Sequence, residues 1–300
     1  MSIYVNQDTR VIVQGITGTQ GRLHTELMLK YGTKIVAGTN PKKAGTTVFD
    51  VPVFADAKTA KEETGANASI IFVPPVAAAD SIIEAIDAGL DLVVCITENI
   101  PALDMVRVHD RLQDSHTRLI GPNCPGLISV DECKLGIMPQ DIHLKGHIGI
   151  VSRSGSLTYE TIKQLSKKGI GQSTTVGIGG DPIKGTNFLD ALKAFNEDEE
   201  TYAIVLIGEI GSQDEQLACA WAKEHMEKPL VAFIGGVSAP PGKRMGHAGA
   251  VVNGKGGSAR DKIAALKELG VSVAPISDQI GDTLIEVLKE HDLLEKCMVK

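Results

Sequence analysis

The sequence RVIVQGITGTQG, at residues 10–21, joins an apolar segment directly to a glycine-rich turn. Residues 10–14 predict a buried β-strand, and a helical repeat of apolar residues follows as far as Gly32. A strand, a Gly-rich turn and a helix in succession begin a mononucleotide-binding βαβ unit. In such a unit glycine lets the backbone approach a phosphate, and the helix N-terminus offers free amides.

The glycines of this turn stand at 15, 18 and 21, a GxxGxxG spacing rather than the GxGxxG spacing of dinucleotide-binding enzymes. Many α/β proteins place glycines here only to turn tightly, so a phosphate site and a purely structural turn are both open. The next predicted strand, at 34–38, does not end in an acidic residue that would bind a ribose. The pattern therefore argues against a nicotinamide dinucleotide.

Strands and helices alternate along the first half of the chain, which predicts a doubly wound parallel sheet. We expect strands at 34–38, 68–73, 91–97 and 118–120, and helices near 56–64, 76–88 and 103–115.

The ligand site of such a sheet lies at the carboxyl ends of its strands. Three of these ends are residues 15–20, 39–45 and 96–98. The second contains Lys42 and Lys43, which either meet phosphates or belong to a solvated turn.

The run GPNCPG at 121–126 interrupts this alternation, because glycine and proline disfavour regular structure. We therefore expect a first domain at 1–125, an irregular connecting segment at 126–146 and a second domain at 147–300. Cys124 is read either as a thiol nucleophile or as a buried, inert cysteine. The second reading is favoured because no basic partner is evident.

The second domain opens with a predicted strand at 147–151, and Ser154, Gly155 and Ser156 begin the helix that follows. Hydroxyls and free amides at a helix start form an anion site, so these residues are candidates for binding a phosphoryl group. Plain N-capping, which needs one serine, is the alternative.

A strongly apolar strand is predicted at 202–207, and it runs into Glu209 between glycines. This carboxylate is either a loop charge or a partner for a cation or an imidazole.

His247 lies in GKRMGHAGA, residues 242–250, where small neighbours leave the imidazole accessible and two cations precede it. A neutral imidazole with a pKa of about 6.5 is a nucleophile for phosphoryl groups, although a surface loop explains the same pattern. The nearest approach to a P-loop, from Gly236 to Lys243, has the wrong spacing, and Arg244 stands where Ser or Thr would hold Mg²⁺. A nucleoside triphosphate is therefore expected on another chain.

The composition restricts the class of partner. The net charge of −7 disfavours nucleic acid, since phosphate neutralisation needs an excess of Lys and Arg. No apolar run approaches the roughly 20 residues of a membrane span, and residues 1–5 do not resemble a targeting segment. Five scattered cysteines without a CxxC pair make disulfides and structural zinc unexpected. We predict a cytoplasmic protein without a bound metal or a membrane partner.

Several motifs together resemble those of the α subunits of succinyl-CoA synthetases (succinate–CoA ligases), over nearly the whole chain. They are VQGITGTQG at 13–21, KYGTKIVAG at 30–38, CITENIPALDM at 95–105, IGPNCPG at 120–126, GIVSRSGSLTYE at 149–160, VGIGGDPI at 176–183, IVLIGEIG at 204–211 and PPGKRMGHAGA at 240–250. The chain departs from the usual family pattern at Lys42, Ala44, Gln140 and Ser212.

The resemblance implies an α/β protein with a Rossmann-like CoA-binding domain followed by a flavodoxin-like doubly wound domain. It implies that His247 is phosphorylated, that Glu209 orients it, and that Tyr159 lies near the substrate. The residues implied to contact CoA are Thr17, Gly18, Thr19, Gln20, Lys43, Ile96, Thr97 and Glu98.

The implied reaction is the reversible formation of succinyl-CoA from succinate, CoA and ATP or GTP, with release of phosphate, as in the tricarboxylic acid cycle. Mg²⁺ and the nucleotide would be bound by a β subunit, in an αβ or α₂β₂ assembly. Three other functions remain open: a related NDP-forming acyl-CoA synthetase using another acid, an NAD(P)-dependent oxidoreductase and a non-catalytic CoA-binding regulator.

Overall fold

The computed structural model describes residues 2–252 and 256–299, and it divides into two compact units. The N-terminal unit comprises Tyr4–Met138 and Ile183–Thr186. The C-terminal unit consists mainly of residues 139–182 and 187–299. Each unit is an α/β structure around mostly parallel strands, which confirms the predicted fold class.

The N-terminal unit alternates strands and helices from its first strand onward. Its elements are β1 (Arg10–Gln14), α1 (Thr19–Tyr31), β2 (Lys34–Thr39), β3 (Thr47–Val48), β4 (Val51–Phe54), α2 (Ala57–Thr64), β5 (Ala68–Ile71), α3 (Pro75–Asp87), β6 (Leu92–Cys95), α4 (Ala102–Gln113), β7 (Arg118–Ile120), β8 (Gly126–Ser129) and β9 (Cys133–Gly136).

The main sheet of this unit has the strand order β3-β4-β2-β1-β5-β6-β7, and all neighbours are parallel except β3 and β4. The chain leaves β1 toward β2 on one side and later returns to β5 on the other. The loops after β1 and β5 therefore diverge and open a crevice at the carboxyl edge, where ligands bind in sheets of this kind. Strands β5 and β6 are buried throughout, as expected for a sheet covered on both faces.

The glycines of the 15–21 turn are needed by the turn itself. Gly15 has a φ of +84°, a region that side chains other than glycine rarely adopt. A Cβ on Gly21 would lie 2.1 Å from the Gly15 carbonyl oxygen, so α1 approaches the turn too closely for any side chain there. These two glycines are thus explained by geometry, whether or not a phosphate binds.

The segment 126–146 is not irregular throughout, as the sequence had suggested. It contains the antiparallel hairpin β8–β9, in which Gly126 faces Gly136. Both glycines have positive φ, and a Cβ on Gly126 would lie 2.0 Å from the Leu135 carbonyl oxygen. The glycines that suggest a break in the sequence therefore allow two short, buried strands to approach each other.

The C-terminal unit contains five parallel strands, in the order β14-β13-β12-β10-β11, within the described ranges. Its elements are β10 (Lys145–Ser152), α5 (Gly155–Lys167), β11 (Gln172–Gly177), α6 (Phe188–Glu197), β12 (Ala203–Glu209), α7 (Asp214–His225), β13 (Leu230–Gly235), α8 (Ala259–Glu268), β14 (Ser272–Val273), α9 (Ile280–Glu290) and α10 (Leu294–Cys297). Strand β10 lies between β11 and β12, so the loops after these three strands share one edge.

All five cysteines are buried, and none of them forms a disulfide. The Cys124 thiol donates a hydrogen bond to the Cys95 carbonyl oxygen at 3.2 Å, in agreement with the buried reading of this residue. Burial raises the pKa of the Cys133 and Cys219 thiols to about 12. No helix within residues 2–252 and 256–299 is both long and apolar enough to cross a membrane.

Candidate functional site

The His247 imidazole is held by a carboxylate. Glu209 is the last residue of β12, and its Oε2 and Oε1 atoms lie 2.8 and 3.0 Å from His247 Nδ1. An ionised carboxylate only accepts hydrogen bonds, so in the neutral imidazole Nδ1 carries the proton and Nε2 keeps its lone pair. Among the contacts of the described residues Nε2 has no hydrogen-bond partner, and the side chain is 28% exposed. The arrangement presents a nucleophilic nitrogen to solvent.

The loop that carries His247 is closed by its own backbone. Gly242 N–H donates to the Val252 carbonyl oxygen at 3.2 Å, and Met245 N–H donates to that of Ala250 at 2.9 Å. Gly242 and Gly246 both have positive φ. The narrow turn between these bonds brings the imidazole inward, whereas Lys243 and Arg244 stay exposed.

Two further glycines fit the loop against the end of β11. A Cβ on Gly180 would lie 2.2 Å from His247 Cγ, so the ring occupies the space that a side chain would need. Gly249 N–H donates to the Gly180 carbonyl oxygen at 3.2 Å, and a Cβ on Gly249 would lie 2.7 Å from Arg153 Nη2. Glycine at 180 and 249 therefore sets the position of the imidazole.

Arg153 lies behind Glu209 and is almost fully buried, with 1% of its side chain exposed. Its Nε lies 3.2 Å from Glu209 Oε1, an ion pair that is not aligned as a hydrogen bond. Nη1 and Nη2 lie 3.4 Å from Ser212 Oγ and from the Gly180 carbonyl oxygen. Arg153 immediately precedes the candidate anion site at 154–156, but its guanidinium is directed to the Glu209 carboxylate.

A second pair of buried charges lies beside this cluster. Glu215 of α7 and Lys262 of α8 are both fully buried, and Lys262 Nζ donates a short hydrogen bond to Glu215 Oε2. Glu215 Oε1 also lies 3.9 Å from Arg153 Nη1. Neither residue is predicted from the sequence, because charged residues on the helices of an acidic protein resemble ordinary surface residues.

The pKa of His247 is raised above the ordinary value of 6.5, chiefly by its hydrogen bond to Glu209. Burial lowers the pKa, the Glu209 charge raises it further, and the charges of Arg153 and Asp181 oppose each other. The sequence-based expectation of an ordinary imidazole pKa is therefore wrong. The fraction of neutral His247 at pH 7 is smaller than that of a free histidine.

The residues expected to bind a phosphoryl group begin α5. Ser154 is the N-cap, and its Oγ accepts a hydrogen bond from Leu157 N–H at 3.3 Å. Its own amide donates to Ser152 Oγ at 3.1 Å. Among the described residues, the amides of Gly155 and Ser156 have no acceptor. The capping interpretation thus accounts for Ser154 alone, and two amides remain for an anion.

Tyr159 lies in the second turn of α5 and is partly exposed. The structure contains no substrate, so the expected proximity of Tyr159 to one stays a prediction.

The residues expected to contact CoA in the first turn are at the N-terminus of α1. Gly18, the N-cap, and Thr19 and Gln20, the first helical residues after it, are exposed. No side chain of the described residues caps this helix. Thr17 Oγ1 accepts a hydrogen bond from Asn40 Nδ2 at 2.6 Å, which joins the loops after β1 and β2.

The other residues expected to contact CoA follow β2 and β6. Lys43 ends an exposed 3₁₀ turn, Pro41–Lys43, and its carbonyl oxygen accepts from Thr46 Oγ1 at 2.7 Å. Thr97 Oγ1 donates to the Val73 carbonyl oxygen at 2.7 Å, whereas Ile96 is partly buried and Glu98 exposed. Because β2 and β6 run parallel to β1, these residues lie along the same edge as the glycine turn.

Within the described ranges there is no cluster of three or more His, Cys, Asp or Glu side chains that could hold a metal ion.

Sequence comparison relates the chain to a family of ligases. A family model described as "CoA binding domain" matches residues 6–99, and one described as "CoA-ligase" matches residues 151–272. The α subunit of the ADP-forming succinate–CoA ligase of Staphylococcus aureus (strain Mu50) is 59% identical over 298 residues, which cover 99% of both chains. The corresponding subunit of Staphylococcus epidermidis is 58% identical over 298 residues, with the same coverage.

Solved structures share this fold. A mutant of the ATP citrate lyase of Methanosaeta concilii, in complex with citryl-CoA, has a TM-score of 0.88 and 25% identity. The match covers 99% of this chain and 52% of the lyase, so this chain spans about half of that protein. The dinucleotide-forming acetyl-CoA synthetase of Ca. Korarchaeum cryptofilum has a TM-score of 0.75 at 19% identity, over 92% of this chain and 60% of that one.

Proposed function

The chain belongs to the family of succinate–CoA ligase α subunits, and from this premise we propose that it carries the phosphoryl group of the reaction on His247. It is one subunit of an acid–thiol ligase, and the family name implies a β partner. The proposed cycle converts succinate, CoA and ATP or GTP reversibly into succinyl-CoA, nucleoside diphosphate and phosphate, as in the tricarboxylic acid cycle.

The observation that carries this proposal is the pairing of His247 Nδ1 with Glu209, which leaves Nε2 free. A carboxylate in this position fixes the tautomer of a catalytic imidazole and offsets the positive charge that develops on the ring. A loop histidine without a chemical role needs no such partner. The partner here is itself held by the buried Arg153.

Phosphoryl transfer begins at His247. The Nε2 lone pair attacks the γ-phosphorus of the nucleotide, the bond to the β-phosphate oxygen breaks, and the diphosphate leaves. The ring then carries a phosphoryl group on Nε2 and the proton on Nδ1, and its positive charge is balanced by Glu209. An oxygen of the succinate carboxylate attacks the phosphorus, the pair of bonding electrons returns to Nε2, and succinyl phosphate forms. Coenzyme A supplies the thiolate that converts this acyl phosphate into the thioester with release of phosphate.

The N-terminus of α5 is suited to hold the phosphoryl oxygens. The amides of Gly155 and Ser156, together with the positive end of the helix dipole, favour an anion. Arg153 precedes this turn and contacts the Gly180 carbonyl beside His247, so the helix start and the imidazole belong to one edge of the sheet. We propose that Ser154, Gly155 and Ser156 hold the phosphoryl group while the substrate, near Tyr159, attacks it.

The edge of the N-terminal sheet fits CoA. The N-terminus of α1 is uncapped and exposed, and Lys42 and Lys43 supply positive charge after β2. Amides and cations of this kind bind the phosphates of a nucleotide-containing ligand. We propose that Thr17, Gly18, Thr19, Gln20, Lys43 and the segment Ile96-Thr97-Glu98 contact CoA.

We assign Mg²⁺ and the nucleotide to the β subunit, because the chain has no P-loop spacing near His247. The αβ and α₂β₂ assemblies both agree with this assignment. The proposed location is the cytoplasm, because thiols that form no disulfide are usual in a reducing compartment.

The proposal is tested with the chain co-expressed with its β subunit. Incubation with γ-³²P-labelled ATP, and separately GTP, is expected to label this chain with an acid-labile, base-stable phosphate. His247→Asn should remove the label and the ligase turnover, while CoA still binds by calorimetry. Labelling or turnover retained in His247→Asn would refute the carrier role.

The same preparation distinguishes the alternative acid. Wild-type enzyme that is labelled by nucleotide should lose the label on adding succinate and should do so more slowly with citrate or acetate. Faster loss with another acid would assign the chain to a related acyl-CoA synthetase.

A further inference from the structure

One buried ion pair, Glu215 and Lys262, hydrogen-bonds to both backbone polar groups of Glu209. The Glu209 N–H donates to Glu215 Oε1 at 3.2 Å, and its carbonyl oxygen accepts from Lys262 Nζ at 2.7 Å. Lys262 also donates to the other carboxylate oxygen of Glu215. The pair therefore closes a ring of hydrogen bonds around a single residue, at the point where β12 ends.

These hydrogen bonds are made at the last residue of β12, where its pairing with β13 ends. Glu209 is paired with Gly235 of β13 as the final step of that ladder, and the chain turns away at Ile210. A residue at a strand end has fewer backbone neighbours to fix its direction, so the direction of its side chain depends on what else holds it. Here α7 and α8 each supply one of the two holding groups.

The Glu215–Lys262 ion pair is tightly packed. Gly208 precedes Glu209, and a Cβ there would lie 2.6 Å from Glu215 Oε1. A glycine thus makes room for the carboxylate to reach the Glu209 amide. Glu215 and Lys262 are fully buried, so thermal motion of either side chain is limited by its surroundings.

Stability alone does not account for the pair. Burial lowers the pKa of Lys262, which reflects the penalty of keeping its charge away from water. Buried ion pairs are often replaceable by apolar residues of similar volume without loss of stability. An apolar pair of the same volume, however, makes no directed hydrogen bonds to the Glu209 backbone.

We propose that Glu215 and Lys262 are positioning residues that fix the Glu209 backbone, so that the Glu209 carboxylate meets His247 Nδ1. This inference rests on the proposed role of Glu209 and His247 in phosphoryl transfer. Neither Glu215 nor Lys262 contacts the imidazole in the described structure, so both act through Glu209.

The decisive variant is the double substitution Glu215→Leu with Lys262→Met, in the chain assembled with its β subunit. It removes both contacts with the Glu209 backbone and leaves no unpaired buried charge. The Glu209 N–H and carbonyl oxygen each lose a partner, so the melting temperature should fall by about 5–10 °C while the chain stays folded. The first-order rate of His247 phosphorylation should fall about 10- to 100-fold, as for a misplaced catalytic group. The KM for the nucleotide should change little, because its site is not altered.

The second readout is the pKa of His247, measured by NMR with isotope-labelled histidine and assigned from its absence in His247→Asn. Loss of the Glu209 contact should lower this pKa toward the ordinary value. The other charges near the imidazole, Arg153 and Asp181, are kept in the double variant, and Arg153 also keeps its ion pair with Glu209 although it loses the 3.9 Å contact with Glu215. A purely structural role of the pair would leave this pKa where it is.

Lys228→Met is the matched control. Lys228 Nζ donates to the carbonyl oxygens of Phe195 and Asp198, so it too holds backbone, but it precedes β13 and therefore lies at the opposite edge of the sheet. Its loss should affect stability without changing the phosphorylation rate or the pKa of His247. Lys262→Arg, which keeps a donor, should recover part of the rate lost in Lys262→Met.

The possible results distinguish failure of the positioning role from failure of the proposed function. Phosphorylation and a His247 pKa at wild-type values in a folded double variant would overturn the positioning role. If the double variant does not fold, Gly208→Ala displaces Glu215 without removing a charge, and a wild-type rate and pKa there would overturn it as well. Failure of the proposed function appears instead as absence of label on wild-type enzyme, and the pKa readout still decides whether the pair orients Glu209.

Discussion

The carboxyl edges of the two sheets, at each of which we propose an anion site, differ in the groups that form them. In the N-terminal unit the edge consists of an uncapped helix start and exposed polar residues such as Lys43 and Glu98. In the C-terminal unit it is built on buried charges, with Arg153, Glu215 and Lys262 around Glu209. Both edges include a helix N-terminus, and only the C-terminal edge adds buried charged side chains.

Under the proposed function, this difference follows from the different chemistry at each edge. Binding a phosphate-containing ligand requires amides and positive charge, and a helix N-terminus supplies both without a defined protonation state. A nucleophilic histidine needs one tautomer and one orientation, which require a fixed carboxylate. We infer that buried charge accumulates where a covalent bond is made and is unnecessary where a ligand only docks.

Glu209→Gln, at the C-terminal edge, is the variant for which we expect the largest effect. The amide oxygen still accepts from Nδ1, but the negative charge is lost, so we expect phosphorylation of His247 to slow about 10²- to 10³-fold. The pH dependence should change too. Neutral His247 is the nucleophile, and Glu209 raises its pKa above 6.5, so the wild-type rate should still be rising with pH above that value.

Quench-flow labelling between pH 5.5 and 9 measures both effects. The rate of the Glu209→Gln variant should reach its plateau at a lower pH than that of wild type. A variant with an unchanged rate and midpoint would remove Glu209 from the orienting role.

Gly180→Ala tests whether the imidazole position is set by close packing. The new Cβ would lie 2.2 Å from His247 Cγ, so the ring must move and phosphorylation should fall about 10- to 50-fold. Gly171→Ala is the matched control, since its Cβ would lie 2.3 Å from the Lys145 carbonyl oxygen, away from the site. Both variants should lose about 1–3 kcal/mol of stability by thermal unfolding, but only the first should lose activity.

Gly21→Ala tests the N-terminal edge. Its Cβ would lie 2.1 Å from the Gly15 carbonyl oxygen, so the helix start must move away from the turn. We expect the Kd for CoA to rise about tenfold, because the N-terminal amides of α1 no longer point toward the ligand phosphates. His247 should still be phosphorylated. Gly32→Ala strains the other end of α1 at a φ of +98° and should leave the Kd unchanged. An equal loss of labelling in Gly21→Ala would show that the edges are not independent.

Lys43→Met is expected to have the smallest effect. An exposed lysine near a phosphate contributes little, so the Kd for CoA should rise about two- to fivefold at low salt and less at high salt. Calorimetry at two salt concentrations measures this, with Lys58→Met on α2 as the control. A larger effect that persists at high salt would mean that Lys43 is buried by the ligand.

Much of the fold follows from the sequence, because parallel strands are apolar runs and their helices have clear breaks. Strand β1 agrees with the prediction residue by residue, and the helix after Gly18 ends at Tyr31 as expected. The prediction missed two antiparallel pairs of strands. Residues 47–54 form β3 and β4, and residues 126–136 form a hairpin, and neither pair has a helix between its strands, so the alternation of strand and helix does not reveal them.

Part of the site was also predictable, because some of its residues have a recognisable local sequence pattern. His247 and Glu209 are marked by glycines on both sides, and the structure brings these two residues into contact. Glu215 and Lys262 lie on helices among other charges, and their burial depends on how α7 and α8 pack, which a local pattern does not contain. The glycine at 208, needed by the Glu215 carboxylate, is the one local signal, and many glycines have other causes.

Burial of all five thiols has a practical consequence for measuring this enzyme. A disulfide reagent such as DTNB reacts with thiolates that it reaches, and the thiols of Cys133, Cys219 and Cys297 have pKa values of about 12, about 12 and about 11. The native chain should therefore react with almost no DTNB and contribute almost no absorbance change. The thiol released from a thioester can then be followed continuously, and a burst of protein-derived colour would report unfolding during the assay.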